Sequence, residues 1–160
     1  MPISIQTATM DNLEKLYEIE RECFTTGTYS RIHIAALLLD PNCYGFIAKL
    51  NGEVAGFIIG SIHATNARAK AGHVYTLDVA VRHRRKGVGS SLLEALERVF
   101  AEKNVEFSYL EARLDNAPAV ELYLKHGYTK IDTLSNYYEN GAHAIRLRKA
   151  LTSRTLSRRQ

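Results

Sequence analysis

The sequence has few cysteines and no long apolar run. Its two cysteines, Cys23 and Cys43, are too few for a disulfide framework or for a zinc site built on cysteine. No stretch approaches the roughly 20 apolar residues that a membrane helix needs. Residues 1–6 lack the basic and apolar regions of a signal peptide. We therefore expect a cytoplasmic protein with reduced thiols and no membrane partner.

Length and composition favour one folded domain. The chain of 160 residues lies within the range of roughly 100–200 residues that one domain typically holds. Hydrophobic residues make up 46% of it, which is enough to build a core and argues against intrinsic disorder. We expect the domain to span residues 1–150, and residues 151–160 to form a basic, disordered tail.

Basic residues are concentrated in two places rather than spread over the chain. One group is Arg82, Arg84, Arg85 and Lys86, and the other lies in residues 146–160, which contain no acidic residue. Without the six basic residues of 146–160, the total of 21 falls to 15, against 17 acidic residues. A compact cluster favours a small polyanionic ligand, whereas a nucleic acid would need a broader basic face.

Hydrophobic periodicity predicts the element order β-α-α-β-β-β-α-β-α-β-β, an α/β layer of helices over a twisted sheet. Asn51-Gly52 predicts a type I′ turn between two strands, since that turn needs positive φ at both positions. Asp11, with Glu14 three residues later, predicts a capping box at the first helix. The apolar repeat of that helix is interrupted by one polar residue, Glu20.

The segment from Arg84 to Ser90 follows a predicted strand and opens a predicted helix. The first amides of a helix have no partner within it, and the positive end of the helix dipole lies there. Gly87 and Gly89 let an anion approach the backbone closely, so the segment predicts a phosphate site. The alternative is a solvated charge run whose glycines serve packing. The spacing matches neither GxGxxG nor GxxxxGK[ST].

The same segment resembles the acetyl-CoA motif of the GNAT N-acetyltransferase superfamily, R/Q-x-x-G-x-G/A. Leu110–Asn116, followed by Leu122-Tyr123 and His126-Gly127-Tyr128, is similar to the second half of that family. Three short segments resemble the RimI-like and Ard-like protein N-terminal acetyltransferases, namely Thr28-Tyr29-Ser30, Gly72-His73 and Tyr137-Tyr138. The resemblance, from about Ile3 to Ala150, implies a single domain with a mixed, mostly antiparallel twisted sheet flanked by helices.

The resemblance also implies acetyl-CoA as the cosubstrate and no metal. In the family, the loop amides bind the CoA pyrophosphate and the preceding strand faces the pantetheine arm. The alternative for Asn116 is a local role as a helix cap. Carried over residue by residue, the cofactor-binding residues are Leu77, Asp78, Val79, Arg84, Arg85, Lys86, Gly87, Val88, Gly89, Ser90, Asn116 and Tyr123.

Acetyl transfer to an amine needs a neutral amine, a polarised carbonyl and a protonated leaving thiolate. An α-amino group has an ordinary pKa near 7.7–8 and a lysine side chain near 10.4, so a modest base suffices for a protein N-terminus. Glu111, where the RimI-like pattern has its glutamate, is the candidate base, and His73 is the second candidate. Tyr123 is the candidate acid, since a phenol can protonate a thiolate. The alternatives are an ion pair of Glu111 with Arg113 or Lys130, a structural histidine and a core tyrosine.

Tyr29, Tyr137 and Tyr138 resemble the tyrosines that hold the peptide in those enzymes, and His73 is the fourth candidate substrate-binding residue. Tyrosines pair an apolar face with a polar tip, although edge packing is the alternative role. The glutamate that the Ard-like loop carries just before its tyrosine is missing here, which leaves the preferred N-terminal residues open.

The sequence therefore predicts transfer of an acetyl group from acetyl-CoA to the N-terminal α-amino group of a protein or peptide, with a ribosomal protein as one candidate. Neither cysteine lies in the motif segments, so the amine is expected to attack directly in a ternary complex. One alternative is a GNAT enzyme for lysine side chains or a small-molecule amine. A distant alternative is a nucleic-acid- or ribosome-binding module, since the basic tail is also a candidate for ribosome association.

Overall fold

A computed structural model describes residues 2–24, 28–66, 68–138 and 141–151. Short 3-10 turns at Met10–Asn12 and Val81–His83 precede two of the helices. Strands and helices follow the predicted order. They are β1 (Ile3–Thr7), α1 (Leu13–Cys23), α2 (Arg31–Leu39), β2 (Cys43–Leu50), β3 (Glu53–Ala64), β4 (Lys70–Val79), α3 (Val88–Glu102), β5 (Phe107–Arg113), α4 (Ala117–Lys125), β6 (Thr129–Leu134) and β7 (Ala144–Ala150).

The strands that the structure describes form a seven-stranded sheet in the order β1-β2-β3-β4-β5-β7-β6. The pairs β1–β2, β2–β3, β5–β7 and β6–β7 are antiparallel, whereas β4 and β5 run parallel. The predicted α/β class with a mixed, mostly antiparallel sheet is therefore confirmed. β7 lies between β5 and β6, so the last strand in the chain becomes the neighbour of β5.

The chain divides into two compact units. The first comprises Met1–Ser61 and Tyr75–Leu96, and the second comprises Ile62–Val74 and Glu97–Gln160. The core of the first unit collects aliphatic and aromatic side chains from its helices and strands. Burying each large one stabilises the fold by roughly 1.5–3 kcal/mol. Its members, at most 5% exposed, are Leu16, Ile19, Ile34, Ile47, Phe57, Ile59 and Ala80.

Two local predictions in the first unit have different outcomes. Asn51 and Gly52 have φ of 55° and 79°, which confirms the predicted type I′ turn between β2 and β3. The predicted cap at Asp11 is wrong, because Thr9 caps the chain two residues earlier. The Thr9 amide donates to Asn12 Oδ1 at 2.8 Å and closes a capping box over a 3-10 turn. Asn12 accepts from the Thr9 amide, whereas the predicted box would have joined Glu14 to the Asp11 amide.

The second unit is organised by the alternation of side chains along β5. Ser108, Leu110 and Ala112 are buried on one face, while the other face carries half-buried residues that include Tyr109 and Glu111. A buried polar network supports the inner face. The Tyr128 hydroxyl lies 2.8 Å from Ser108 Oγ and donates to Glu97 Oε2 at 2.9 Å. Lys149 Nζ donates to the other oxygen of Glu97 at 2.7 Å.

The predicted tail of residues 151–160 begins at the last residue that the structure describes. Leu151, the first residue assigned to the tail, is buried, and its amide donates to the Glu106 carbonyl at 2.7 Å. Residues 152–160, residues 25–27 and residues 139–140 lie outside the described residues. Within the described part of the chain, the helices are too short or too polar to cross a bilayer.

The close approach of β3 to the end of β4 predicts that Gly56 tolerates no side chain. A Cβ at position 56 would lie 2.6 Å from the Asp78 carbonyl oxygen, which is main chain and has no freedom to yield. We expect Gly56→Ala to lower the free energy of unfolding by about 1–3 kcal/mol in urea titrations. Gly45→Ala in β2 is the matched control, because its Cβ would meet ordinary contacts at 3.4 Å or more. Equal unfolding midpoints for the two variants would contradict this packing.

Candidate active site

The segment between β4 and α3 turns sharply in the first unit. Arg85 and Gly87 adopt left-handed φ of 64° and 86°. The first bond of α3 runs from the Ser91 amide to the Gly87 carbonyl at 3.0 Å. The amides of Val88 and Gly89 therefore precede the first residue that can pair within the helix. They sit at the positive end of the helix dipole, which suits an anionic group.

The basic side chains of this segment have different surroundings. Arg82 pairs with Glu53, and His83 Nε2 lies 3.0 Å from the same carboxylate. Arg84 turns back to the strand, where its Nε donates to the Val79 carbonyl at 3.0 Å. Arg85 and Lys86 are exposed at the start of α3. Arg82 and Arg84 are exposed as well, so the compact basic cluster predicted from the sequence lies at the surface.

The end of β4 presents alternate residues to different environments. Leu77 and Val79 are half-buried, whereas the side chain of Asp78 is 1% exposed and points among the buried groups of the first unit. The Val79 carbonyl also accepts from Cys23 Sγ at 3.4 Å. The three predicted cofactor residues of this strand thus differ in the exposure of their side chains. Any contact of residue 78 with a ligand falls to its main chain.

In the second unit, strand register brings His73 and Glu111 together. His73 pairs with Tyr109 across the parallel β4–β5 ladder, and Glu111 lies two residues further along the same face of β5. His73 Nε2 lies 2.7 Å from Glu111 Oε1. The imidazole also stacks on the Tyr109 ring, with centroids 4.5 Å apart and planes inclined by 4°. The two candidate bases therefore form one hydrogen-bonded pair held by an aromatic face.

Arg146 on β7 completes this cluster. It is the antiparallel partner of Glu111, and its Nε donates to Glu111 Oε2 at 2.9 Å. Burial acts to raise the pKa of Glu111, but the hydrogen bonds from His73 and Arg146 outweigh it, so the pKa is lowered. The carboxylate, 7% exposed, is thus ionised at neutral pH and accepts hydrogen bonds on both oxygens.

An ionised Glu111 determines the state of the histidine. A carboxylate only accepts hydrogen bonds, so His73 Nε2 is the donor in this contact. In the neutral ring Nδ1 is then the acceptor nitrogen, and it is the atom that can take a proton. Glu111 has the geometry of a group that orients an imidazole and stabilises its protonated form.

Helix α4 carries two further candidates. Asn116 Oδ1 accepts from the Ala119 amide at 3.3 Å, which is the helix-cap role given above as its alternative. Tyr123 is 7% exposed, and its ring packs edge-on against Tyr128 at 5.9 Å. Asn116 caps α4, and Tyr123 follows it by seven residues, which is about two turns of helix.

The candidate peptide-binding tyrosines lie in both units. Tyr137 and Tyr138 of the second unit contact each other edge-on at 5.0 Å, and the Arg113 guanidinium lies 5.3 Å from the Tyr138 ring centre. Burial raises the pKa of Tyr138 to about 12, so this phenol stays neutral. In the first unit, the Tyr29 amide donates to Glu20 Oε2 at 3.0 Å.

Sequence reasoning missed Arg146 and Tyr109. Arg146 was counted in the basic C-terminal run, yet it lies in β7 and pairs with Glu111. Lys149 and Arg148 of the same run also have structural contacts, with Glu97 and with the Phe107 ring at 4.0 Å. Arg113 and Lys130 were considered as partners of Glu111, whereas Arg113 pairs with Asp115 at 3.0 Å. The i, i+2 spacing of Arg146 and Arg148 was a usable signal, because both then share one face of a strand.

A sequence model of the Acetyltransferase (GNAT) family matches residues 13–128. The chain belongs to the GNAT acetyltransferase family. An N-alpha-acetyltransferase of Sulfurisphaera tokodaii is 31% identical to this GNAT chain over 148 residues, which cover 88% of this chain and 88% of that protein. Membership of the family makes the protein an acetyltransferase that uses acetyl-CoA.

Solved structures extend the likeness to the whole fold. Ard1 from Thermoplasma volcanium has a TM-score of 0.84 at 27% identity, covering 94% of this GNAT chain and 99% of that one. The ribosomal-protein-S18-alanine N-acetyltransferase from Escherichia coli has a TM-score of 0.82 at 24% identity, covering 94% and 95%. The second is a likeness of fold alone.

The lowered pKa of Glu111 predicts an acid-dependent contribution to stability. Since the folded protein favours the ionised form, the contribution is present above the ordinary pKa of 4.5 and is lost as the pH falls through the lower folded value. We expect Glu111→Gln to unfold more easily than the parent by about 2 kcal/mol at pH 7. The difference should shrink below pH 4.5 in urea titrations.

Glu106→Gln is the control for that experiment, because Glu106 is an exposed glutamate just before β5. We expect it to unfold like the parent at every pH. A Glu111→Gln difference that stays constant from pH 7 to pH 3 would contradict the assigned ion pairs.

Proposed function

We propose that this protein transfers the acetyl group of acetyl-CoA to the N-terminal α-amino group of a protein or peptide. The observation that carries the proposal is the turn between β4 and α3, with its two left-handed residues and with first-turn amides that precede the first bond of the helix. The relative named N-alpha-acetyltransferase supports the α-amino group as acceptor, because the likeness covers nearly all of both chains.

The loop fits the diphosphate of CoA. Gly87 is exposed, and a Cβ built there would meet a single side-chain atom at 3.9 Å, so the cradle is open. Main-chain amides of residues 87–90 would hold the phosphate oxygens, and Arg85 and Lys86 would add charge. Leu77 and Val79 would face the pantetheine arm. When bound, acetyl-CoA supplies an acetyl group activated as a thioester.

His73 is proposed as the proton acceptor, with Glu111 orienting it. Nδ1 of His73 takes the proton that the amine loses as the carbon–nitrogen bond forms, directly or through a water. Glu111, with its lowered pKa, stabilises the imidazolium. The sequence-based prediction that Glu111 itself takes the proton is the alternative within the same pair. Because an α-amino group is far less basic than a lysine side chain, this pair is sufficient for a protein N-terminus.

Tyr123 is proposed to protonate the leaving sulfur as the carbon–sulfur bond breaks. The Val79 amide is proposed to polarise the acetyl carbonyl. Burial raises the pKa of both thiols, Cys23 and Cys43, to about 11, so neither is a thiolate at neutral pH. Direct attack by the amine in a ternary complex therefore remains the proposed route.

The proposed peptide-binding residues are Tyr29, His73, Tyr137 and Tyr138. The edge-on pair of Tyr137 and Tyr138 offers an apolar wall with hydroxyl tips. A ribosomal protein as acceptor has as its support the name of the Escherichia coli enzyme of similar fold. Ribosome association through the tail rests on Arg154, Arg158 and Arg159 of the sequence alone. A cytoplasmic location is proposed from the two free thiols.

A peptide with a free N-terminus and one internal lysine tests the acceptor. We expect acetyl-CoA to label its α-amino group and leave the lysine unlabelled, as located by fragment masses. A panel that varies the first two residues then ranks the preferred N-termini. Labelling of the lysine, or of small amines alone, would contradict N-terminal specificity and favour the alternative GNAT activity.

Substitutions in the second unit test the proton transfers. We expect His73→Ala and Glu111→Gln to lower kcat by about 10²-fold or more, because an amide at position 111 no longer stabilises the imidazolium. Tyr123→Phe should lower kcat by about 10-fold or more, while the affinity for CoA largely survives in all three. Glu106→Gln should match the parent. Unchanged turnover in His73→Ala and Glu111→Gln would remove the pair from the chemistry.

A further inference from the structure

Glu20 interrupts the apolar face of α1, and its side chain is buried in the first unit. The residue is 1% exposed, as is Ile19, and Leu16 on the same face is fully buried. A buried carboxylate is costly unless hydrogen bonds compensate for the lost water. Glu20 therefore needs hydrogen-bond partners within the first unit.

The two oxygens of Glu20 contact different segments of the first unit. Oε2 accepts from the Tyr29 amide at 3.0 Å. Oε1 lies 3.4 Å from Thr76 Oγ1, and that hydroxyl lies 2.5 Å from Asp78 Oδ1. Glu20 thus links α1 to β4 and to the residues that lead into α2.

The acceptor of the Tyr29 amide lies in the same buried region as a second carboxyl group, that of Asp78. Asp78 is also 1% exposed, and its Oδ2 has no hydrogen-bond partner among the described residues. Burial and the neighbouring Glu20 carboxyl raise the pKa of Asp78 well above its ordinary value, which favours the protonated form of Asp78. Glu20 Oε2 is the acceptor for the Tyr29 amide, and burial keeps water from competing for this hydrogen bond.

Tyr29 is therefore held at its main chain and at its ring. Its hydroxyl donates to the Tyr75 carbonyl at 3.4 Å, and its ring meets the His33 ring edge-on at 4.6 Å. The ring contacts are weak, whereas the amide donates to a buried carboxyl oxygen. The Glu20 carboxylate is accordingly the anchor that determines where the Tyr29 main chain lies.

We propose that Glu20 is a positioning residue for the acceptor peptide, because its buried carboxylate fixes Tyr29 in the place where the peptide binds. The proposal rests on the proposed role of Tyr29 in N-terminal acetylation. Glu20 does not touch the reacting atoms. Its loss should weaken peptide binding and spare both the chemical step and the affinity for acetyl-CoA.

Glu20→Met tests this role without opening a cavity. Methionine fills similar volume, favours helix and suits the apolar face of α1, but it accepts no strong hydrogen bond from the Tyr29 amide. We expect the KM for peptide to rise about tenfold, with kcat and the KM for acetyl-CoA within twofold of the parent. Glu20→Gln keeps an acceptor oxygen and should restore most of the peptide KM.

Glu18→Gln is the matched control on the same helix, because Glu18 is 68% exposed and pairs with Lys15 at 3.6 Å. It should leave all kinetic constants unchanged. If Glu20→Met does not fold, Thr76→Val, which removes the hydroxyl beside Glu20, should raise the peptide KM about threefold. A peptide KM within twofold of the parent in the folded variant would overturn the proposal. So would an equal rise in both KM values.

Amide hydrogen exchange at Tyr29 separates this inference from the proposed function. We expect exchange at Tyr29 to accelerate about tenfold in Glu20→Met and to return toward the parent in Glu20→Gln. If the parent acetylates no peptide, the proposed function fails. The exchange result still tests whether Glu20 anchors the Tyr29 amide. Unchanged exchange in Glu20→Met would overturn the anchor even in an active enzyme.

Discussion

The account depends on one backbone constraint, the sharp turn from β4 into α3. Left-handed conformations at Arg85 and Gly87 redirect the chain between the 3-10 turn at Val81–His83 and the first residue of α3. The first-turn amides then lie where an anion can reach them, and the helix dipole favours negative charge there. The packing near the end of β4 is tight, since a Cβ at Gly56 would clash with the Asp78 carbonyl oxygen. On this account the main-chain amides bind the cofactor, and the basic side chains adjust its affinity.

The second unit holds the imidazole of His73 in one orientation. The parallel register sets His73 beside Tyr109, and the antiparallel register sets Glu111 beside Arg146. Two hydrogen bonds keep the carboxylate charged although it is nearly buried, and the carboxylate in turn fixes which nitrogen of His73 accepts a proton. A single-residue slip of β5 would turn Tyr109 and Glu111 to the opposite face. The hydrogen-bonded arrangement of the pair is therefore a consequence of strand pairing.

Local signals made much of this fold predictable. The Asn51-Gly52 turn and the loop before α3 each depend on residues within a few positions of one another. The partners of Glu111 were not predictable in the same way, because His73 and Arg146 lie 38 and 35 residues away in the chain and meet it only through sheet register. Arg146 was hidden within a run of basic residues. Glu20 was visible as a polar interruption, but its contact with Tyr29 depends on how the chain returns after α1.

Calorimetric titration with CoA and with pantetheine, which lacks the diphosphate, tests the central claim most directly. The account predicts measurable heat with CoA and binding of pantetheine at least about 100-fold weaker, because several charge-assisted hydrogen bonds from the loop amides would be lost. Absence of heat with CoA on folded protein, or equal affinity for both compounds, would contradict the claim that the amides before α3 hold the cofactor.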